Sequence, residues 1–413
     1  MKLSLIRLFV FVLQSLLIAI VPPAILLGLD FYQALLVWDA VFNSILVNVC
    51  ALFLCTYVKR QLGSHPQGHL EAFILPITLW VYLILLSILF IFHAPYSVKI
   101  ILMGFVLVAA LLALTRQLIP SYKQSLYFVV PLGDAQLLKT SDRFKFINLT
   151  GPHLPNSKLD GIVADLHSGV LPADWERFLA NCALKRIPVI NSMHLNESIS
   201  GKVSLAHLTE NESGMLAPAV IHMQIKQLND ILFLILISPI IIPLMLMIAL
   251  WIWVDSPGGA LFIQERMGYK GKPFNMVKFR TMVVDHAGSH FTEADESHRI
   301  TRVGKIIRKL RLDELPQFWN VLRGEMSLIG PRPESMALAR WYEMEVPFFN
   351  YRHVVRPGIS GWAQVKQGYA AGVDEMKDKV AYDFYYIKHF SVWLDILIWH
   401  KTIRTMLTGF GSR

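Results

Sequence analysis

Cysteine is scarce in this chain: three in 413 residues, with Cys50 and Cys55 inside an apolar block and Cys182 far from both. So sparse and odd a set excludes a disulfide framework and offers no metal-ligand spacing; a reducing compartment for the soluble parts follows. Charge is thin as well. Only 17% of residues are Asp, Glu, Lys or Arg, whereas 54% are hydrophobic. That is too apolar for an ordinary soluble protein, and the excess sits in blocks. Acidic side chains are the scarcer sign, 30 against 39 basic ones, for a net charge of +9. Anionic partners are implied: nucleotides, phospholipid headgroups or a lipid phosphate. The basic residues flank apolar blocks instead of lining one polar helix, which argues against nucleic acid. No G-x-G-x-x-G occurs, so Pro131-Leu132-Gly133-Asp134 reads as a strand-end turn and not as a dinucleotide site. The apolar N-terminal run reaches Leu29 without a small-x-small cleavage site, and so reads as a retained anchor.

What is present begins with four apolar stretches, about Leu3–Leu29, Ala40–Val58, Ala72–Phe92 and Ile100–Thr115. Each approaches the roughly 20 residues a helix needs to cross a bilayer. Lys2, Lys59, Arg60, Arg116 and Lys123 flank them on one side, while the other connectors carry little positive charge, so both ends of this unit are expected in the cytoplasm. Among the polar residues of the spans, Arg7 is expected to snorkel, Asp39 to lie at the interface, and Asn43 and Asn48 to bond between helices. A transport path is the competing reading of the same residues.

From about Leu126 to Asn211 short apolar runs alternate with a helical stretch near Pro172–Leu184. Strand, helix and strand at this spacing predict a small parallel α/β module, by default regulatory or oligomerising. A fifth apolar run, Ile231–Val254, contains Ser238-Pro239 and Pro243. Two prolines four residues apart should bend a helix sharply. A helix that enters the membrane, bends at Ser238-Pro239 and returns would keep the remainder of the chain in the cytoplasm. A proline-kinked span is the alternative.

From Asp255 onward the chain is polar, basic and rich in turns. Lys278 and Arg280 would share one face of an extended strand, an arrangement suited to a diphosphate or to a basic surface near anionic lipid. The spacing of Val303, Ile306, Ile307 and Leu310 predicts a helix ending near Arg311, and Pro316 suits the first turn of the next one. Asp313 and Glu314 then fall at a helix N-terminus, where free amides favour ionised carboxylates. An ionised Asp can attack phosphorus, and its neighbour can hold Mg²⁺ or handle a proton. Simple N-capping fits the pair as well. Arg332, fixed between Pro331 and Pro333, is either a pre-aimed phosphate ligand or an incidental charge on a rigid loop. Arg356-Pro357-Gly358 forms a second cationic turn, and Ile396–Leu407 reads as an amphipathic helix lying on the membrane.

Five ordered motifs, Ser238-Pro239, Lys278–Met282, Leu312–Gln317, Ser327–Pro333 and Arg356–Gln364, resemble those of the bacterial sugar transferase family, the monotopic polyprenyl-phosphate hexose-1-phosphate transferases. The spans and α/β middle resemble the long members, typified by undecaprenyl-phosphate glucose phosphotransferases. The resemblance implies a membrane protein in three parts: a four-helix transmembrane unit over 1–120, a cytosolic Rossmann-like α/β module over 121–220, and an α-rich catalytic domain over 221–413 with a re-entrant helix at 231–254. It implies that Asp313 attacks the sugar-bearing phosphate of a UDP-sugar and releases UMP. An aspartyl-phosphosugar would form, and undecaprenyl phosphate would then displace Asp313. Glu314, with Asp313, is implied as the Mg²⁺ site. Arg332 is implied as a phosphate ligand, with Lys278, Arg280 and Arg356 adding charge and Asp383 and Asp395 in matching substrate-binding segments. UDP-glucose is the first donor expected and UDP-galactose the second. The setting would be the cytoplasmic face of the bacterial inner membrane, at the initiating step of exopolysaccharide, capsule or O-antigen synthesis, with a homodimer compatible. A non-catalytic scaffold that binds lipid-linked sugar, or a transporter built on residues 1–120, would instead leave the Asp313 region without chemical duty.

Overall fold

The computed structural model of the chain describes residues 2–27, 38–64, 74–118, 125–140, 144–154, 159–166, 171–205, 217–283, 299–368 and 372–408. Two compact units result, Met1–Ile199 and Ser200–Arg413. The four N-terminal apolar helices and the α/β module thus share the first unit.

Four helices open that unit: α1 (Lys2–Leu27), α2 (Trp38–Ser64), α3 (Ile74–Ile91) and α4 (Val98–Leu118). Each falls on one of the apolar stretches read from sequence. α2 packs against the other three, and α1 also packs on α4. By length and composition α1 and α2 can cross a membrane, and α3 and α4 contain shorter apolar runs. Their polar residues tie helix to helix. Asn48 is fully buried, donates from Nδ2 to the Ile100 carbonyl at 3.2 Å, and accepts from the Tyr82 hydroxyl at 2.9 Å. Asn43 Nδ2 donates to the Pro95 carbonyl at 2.9 Å. Lys59 reaches the Leu112 carbonyl at 3.0 Å. The side chains of Lys2, Arg7, Arg60, Arg116 and Lys123 lie outside the described residues, as does much of the loop after α1.

The α/β module follows as β1 (Ser125–Val129), β2 (Phe144–Asn148), β3 (Gly161–Ala164), helix α5 (Ala173–Leu184) and β4 (Val189–Asn191). The sheet is parallel throughout, in the order β2-β1-β3-β4. Phe128, Ile162 and Ala164 pack against Phe178, Leu179 and Cys182 of α5, while Val129 and Val163 on the other face pack with Leu195, so burial on both faces explains the continuous apolar strands. Helix α6 (Ser192–Ser200) comes next.

The second unit is built on α7 (Val220–Asp255), a helix of 36 residues containing Pro239 and Pro243. At 1.5 Å per residue it measures about 54 Å, against about 30 Å for a bilayer core. The helix begins earlier than the apolar run predicted, and the helical backbone continues through both prolines, so Ser238-Pro239 does not end it. Ser238 Oγ donates to the Ile235 carbonyl at 2.8 Å, helping to accommodate the groups near the proline.

Beyond α7, β5 (Leu261–Met267) and β6 (Pro273–Phe279) form an antiparallel hairpin that pairs Phe262 with Lys278 and Arg266 with Phe274. Buried Asn320 serves the outer edge of β6 as a substitute strand: its side chain accepts from Val277 N at 3.1 Å and donates to the Asn275 carbonyl at 2.7 Å. Helix α8 (Arg302–Lys309) is capped by Thr301, whose side chain accepts from Gly304 N. A 3₁₀ turn (Leu312–Gln317) and the short helix α9 (Phe318–Leu322) follow. The remaining elements are β7 (Ser327–Ile329), α10 (Met336–Glu345), a 3₁₀ turn (Phe349–Val354), β8 (Gly358–Ser360), α11 (Trp362–Lys366), α12 (Val373–Lys388) and α13 (Val392–Thr408). β7 and β8 pair in parallel. Their backbones approach so closely that a Cβ on Gly358 would collide with Gly330 N, which is why that crossing needs glycine.

Candidate active site

The local chain path explains how two carboxylates reach one place. α8 ends at Leu310, and Arg311 takes a left-handed conformation at φ 53°. That abrupt reversal starts the 3₁₀ turn with Asp313 and Glu314 in its first turn, close to the N-terminal placement predicted. Leu312 and Leu315 anchor the turn on Ile248, Ile252, Phe279 and Ile307.

Three cations from two other segments surround the pair, Arg266 at a remove, its guanidinium donating to Gln264 Oε1 at 2.6 Å and to the Pro333 carbonyl at 3.2 Å. Paired residues of an antiparallel hairpin share a face, as do alternate residues along each strand, so Lys278 and Arg266 stand on one side of β5 and β6. Arg332 comes from the Pro-flanked loop after β7. Its Nη2 donates to Glu314 Oε1 at 2.7 Å, with 10% of the glutamate side chain and 32% of the arginine exposed. The pair is therefore covered on the carboxylate side and open on the guanidinium side.

The electrostatics divide the two carboxylates. Burial alone would raise the Glu314 carboxyl, but Arg332 and Lys278 outweigh it and hold the group at about 2. Asp313 is pushed up to about 6, chiefly by burial and then by the negative charge of Glu314. Lys278 is lowered to about 8 by burial and by Arg332, and Arg266 to about 10 by the same two causes. Cations crowded enough to lower Lys278 and Arg266 are suited to a polyanion, and a carboxylate with a perturbed affinity for protons is suited to chemistry.

A second, buried tier supports this one. Arg352 donates from Nη2 to the Arg332 carbonyl at 2.9 Å and to Asp383 Oδ2 at 2.8 Å. Lys379 donates to Glu334 Oε1 at 2.6 Å, and Arg352 Nη1 lies 3.5 Å from the same oxygen. Glu334 is held at about 2 because Lys379 and Arg352 outweigh its burial, while burial raises Asp383 despite Arg352. A third network joins α7 to β7 and α13. Lys226 donates to Asp395 Oδ2 at 2.8 Å, Asp230 Oδ2 accepts from Ser327 Oγ at 2.5 Å, and Asp395 Oδ1 accepts from the Tyr386 hydroxyl at 2.9 Å.

The residues singled out from sequence are thus distributed over different tasks. Asp313, Glu314, Lys278 and Arg332 are brought together. Arg280 is not among them: β6 ends at Phe279, and Arg280 turns to donate to the Ser256 and Pro257 carbonyls, both at 2.8 Å. Arg356 donates to the Gly324 carbonyl at 2.9 Å and lies over the Tyr269 ring at 5.1 Å. Asp383 and Asp395 belong to the two buried supporting networks. Ser238 and Pro239 lie within the uninterrupted α7. Arg266, Arg352, Glu334 and Lys379 were missed. For Arg266 the signal is a cation four residues along β5 from the partner of Lys278, on the same face, usable only with the hairpin register in hand.

The donor set also fits a magnesium ion. Among the described residues no cluster of three or more His, Cys, Asp or Glu is placed to hold a metal. Mg²⁺ commonly uses only one or two protein carboxylates and takes its other ligands from phosphates and water. Asp313 and Glu314 supply such a pair.

Comparison with known proteins adds to this geometry. A profile described as "Bacterial sugar transferase" matches residues 221–409. UDP-N-acetylgalactosamine-undecaprenyl-phosphate N-acetylgalactosaminephosphotransferase of Aeromonas hydrophila is 43% identical over 379 residues, covering 91% of this chain and 89% of that protein. UDP-glucose:undecaprenyl-phosphate glucose-1-phosphate transferase of Caulobacter vibrioides is 39% identical over 204 residues, 49% of this chain and 76% of its own. The Escherichia coli protein of the same description is 40% identical over 192 residues, 46% of this chain and 41% of its own. Together the motifs, the profile over the second unit and a relative aligned along both units place this chain in the bacterial sugar transferase family.

Proposed function

We propose that this protein transfers a sugar-1-phosphate from a UDP-sugar to undecaprenyl phosphate at the cytoplasmic face of the bacterial inner membrane. The observation that carries this reading is the arrangement of Lys278 and Arg332, with Arg266 at a remove, around the Asp313–Glu314 pair.

Asp313 Oδ attacks the sugar-bearing phosphorus, and the bond from that phosphorus to the oxygen bridging it to UMP breaks. UMP leaves with the electron pair, and an aspartyl-phosphosugar remains. An oxygen of undecaprenyl phosphate then attacks the same phosphorus, forms the lipid diphosphate sugar and restores the Asp313 carboxylate. Through both steps Arg332, Lys278 and Arg266 balance the charge on the phosphate oxygens. Glu314 holds Arg332 in place and keeps Asp313 from ionising too readily. Magnesium, held by Asp313 and Glu314, would supply further neutralisation of the diphosphate. In this reading α7 enters the membrane and returns, holding the site at the depth of the acceptor's phosphate.

Glucose is the donor that the resemblance to the long family members implies. The Aeromonas relative, aligned over most of this chain, acts on UDP-N-acetylgalactosamine. That sugar therefore stands first in the donor panel, with UDP-glucose and UDP-galactose beside it. Purified protein, Mg²⁺, undecaprenyl phosphate and each donor should give UMP with one sugar and none with Asp313→Asn. Folded protein that releases UMP from no donor would overturn the reading.

A further inference from the structure

α13 carries His400, Lys401 and Arg404, and α11 brings Lys366 beside them. Trp362, only 1% exposed, is the common platform. Its indole N–H donates to the Gly201 carbonyl at 2.8 Å, and the Lys366 and Lys401 ammonium groups lie 5.0 and 5.8 Å from its ring centre. Ser360 Oγ and Thr402 Oγ1 are hydrogen-bonded at 2.5 Å, fixing α13 against the strand that leads into α11. The two lysines are half-buried and Arg404 is exposed, so the cluster opens outward.

The cations raise one another's energy. Burial and then Lys401 lower Lys366 to about 8, burial and then Arg404 lower Lys401, and His400 is held at about 4 and contributes no charge. A bound anion would relieve that repulsion. Its depth indicates where the anion comes from. Trp399 meets Phe233 edge to face at 5.7 Å, and Phe233 lies in the apolar run of α7. Lys401 and Arg404 therefore follow, within two turns, a side chain packed where the membrane helix becomes apolar. Leu394, Leu397 and Ile398 face inward, as expected of a helix lying on the surface.

We propose that Lys366, Lys401 and Arg404 bind the phosphodiester of an anionic phospholipid headgroup. This rests on α7 lying in a membrane and not on the donor chemistry, so either proposal can fail without the other. The test is native mass spectrometry of the full chain in micelles carrying phosphatidylglycerol and phosphatidylcholine. Wild type should retain phosphatidylglycerol selectively. Lys366→Gln and Lys401→Gln should each weaken retention about fivefold, Lys401→Arg should preserve it, and UMP release in phosphatidylcholine should be unchanged. Equal retention of both lipids, or selectivity surviving the paired glutamine changes, would overturn the proposal. So would displacement by inorganic phosphate, which marks a general anion site, or preferential displacement by undecaprenyl phosphate, which marks an acceptor site.

Discussion

Asp313 and Glu314 are neighbours of the same chemical type, yet their surroundings shift them in opposite directions, Asp313 upward through burial and Glu314 downward through Arg332 and Lys278. Asp313, the nucleophile of the proposed reaction, is pushed up to about 6, and Lys278 beside it is lowered to about 8. The rate under subsaturating donor should therefore rise with pH through about 6, as Asp313 ionises, and fall above about 8, as Lys278 loses its proton. Glu314→Gln removes a negative charge that raises both groups, so both limbs should move toward acid. A profile that keeps its position would show that Glu314 does not act on Asp313 through charge. Asp313→Asn should lower UMP release by roughly 10⁴-fold or more with folding retained, the scale seen when a nucleophile is removed. At this scale the sequence was partly legible. The acidic pair and Arg332 stood out because proline fixes the backbone around each. The task of Arg280 was hidden, since strand alternation predicts a shared face with Lys278 only while the strand lasts, and β6 ends one residue too soon.

At the scale of elements, the loop bearing Arg332 is held from behind by a side chain on a different segment. Arg352 reaches its carbonyl and is itself neutralised by Asp383, with both side chains 1% exposed. Asp383→Asn leaves the guanidinium buried with Glu334 alone, 3.5 Å away. Breaking such a pair costs about 3 kcal/mol, so the melting temperature should fall, and donor KM should rise because Arg332 is less well placed. Unchanged KM with lowered stability would confine Asp383 to packing. The separation of 31 residues between the partners explains why motif reading assigned Asp383 to substrate. Helices and strands were more legible. The apolar blocks became α1 to α4, and the short β-rich runs became the parallel sheet, because each carries its burial pattern locally. The hairpin register that aligns Arg266 with Lys278 is not local, and that residue was lost with it.

For the whole molecule, the path of α7 through the bilayer decides which face carries the site. Its length exceeds the hydrocarbon thickness, and Trp251, Trp253, Leu261, Phe262 and Ile263 at and after its end are exposed and apolar. If α7 returns to the side it entered from, single cysteines placed near residues 2 and 412 of a cysteine-free chain should react with an impermeant thiol reagent from the same face of sealed vesicles. Labelling from opposite faces would make α7 a span and exclude the cytoplasmic site. Sequence length alone could not separate these outcomes, because re-entry and crossing use residues of the same polarity.

The side chain of Asn320 has a consequence beyond the hairpin it completes. Two-stranded sheets expose edges that another chain can extend, and confinement to a membrane surface raises the frequency with which identical molecules meet side by side. By occupying the Asn275 carbonyl and the Val277 amide, one amide group leaves β6 no free ladder at those positions. The strand carrying Lys278 is thus protected from intermolecular pairing at those positions without a further strand. Edge protection of this kind sits next to the candidate site and is supplied by a single side chain.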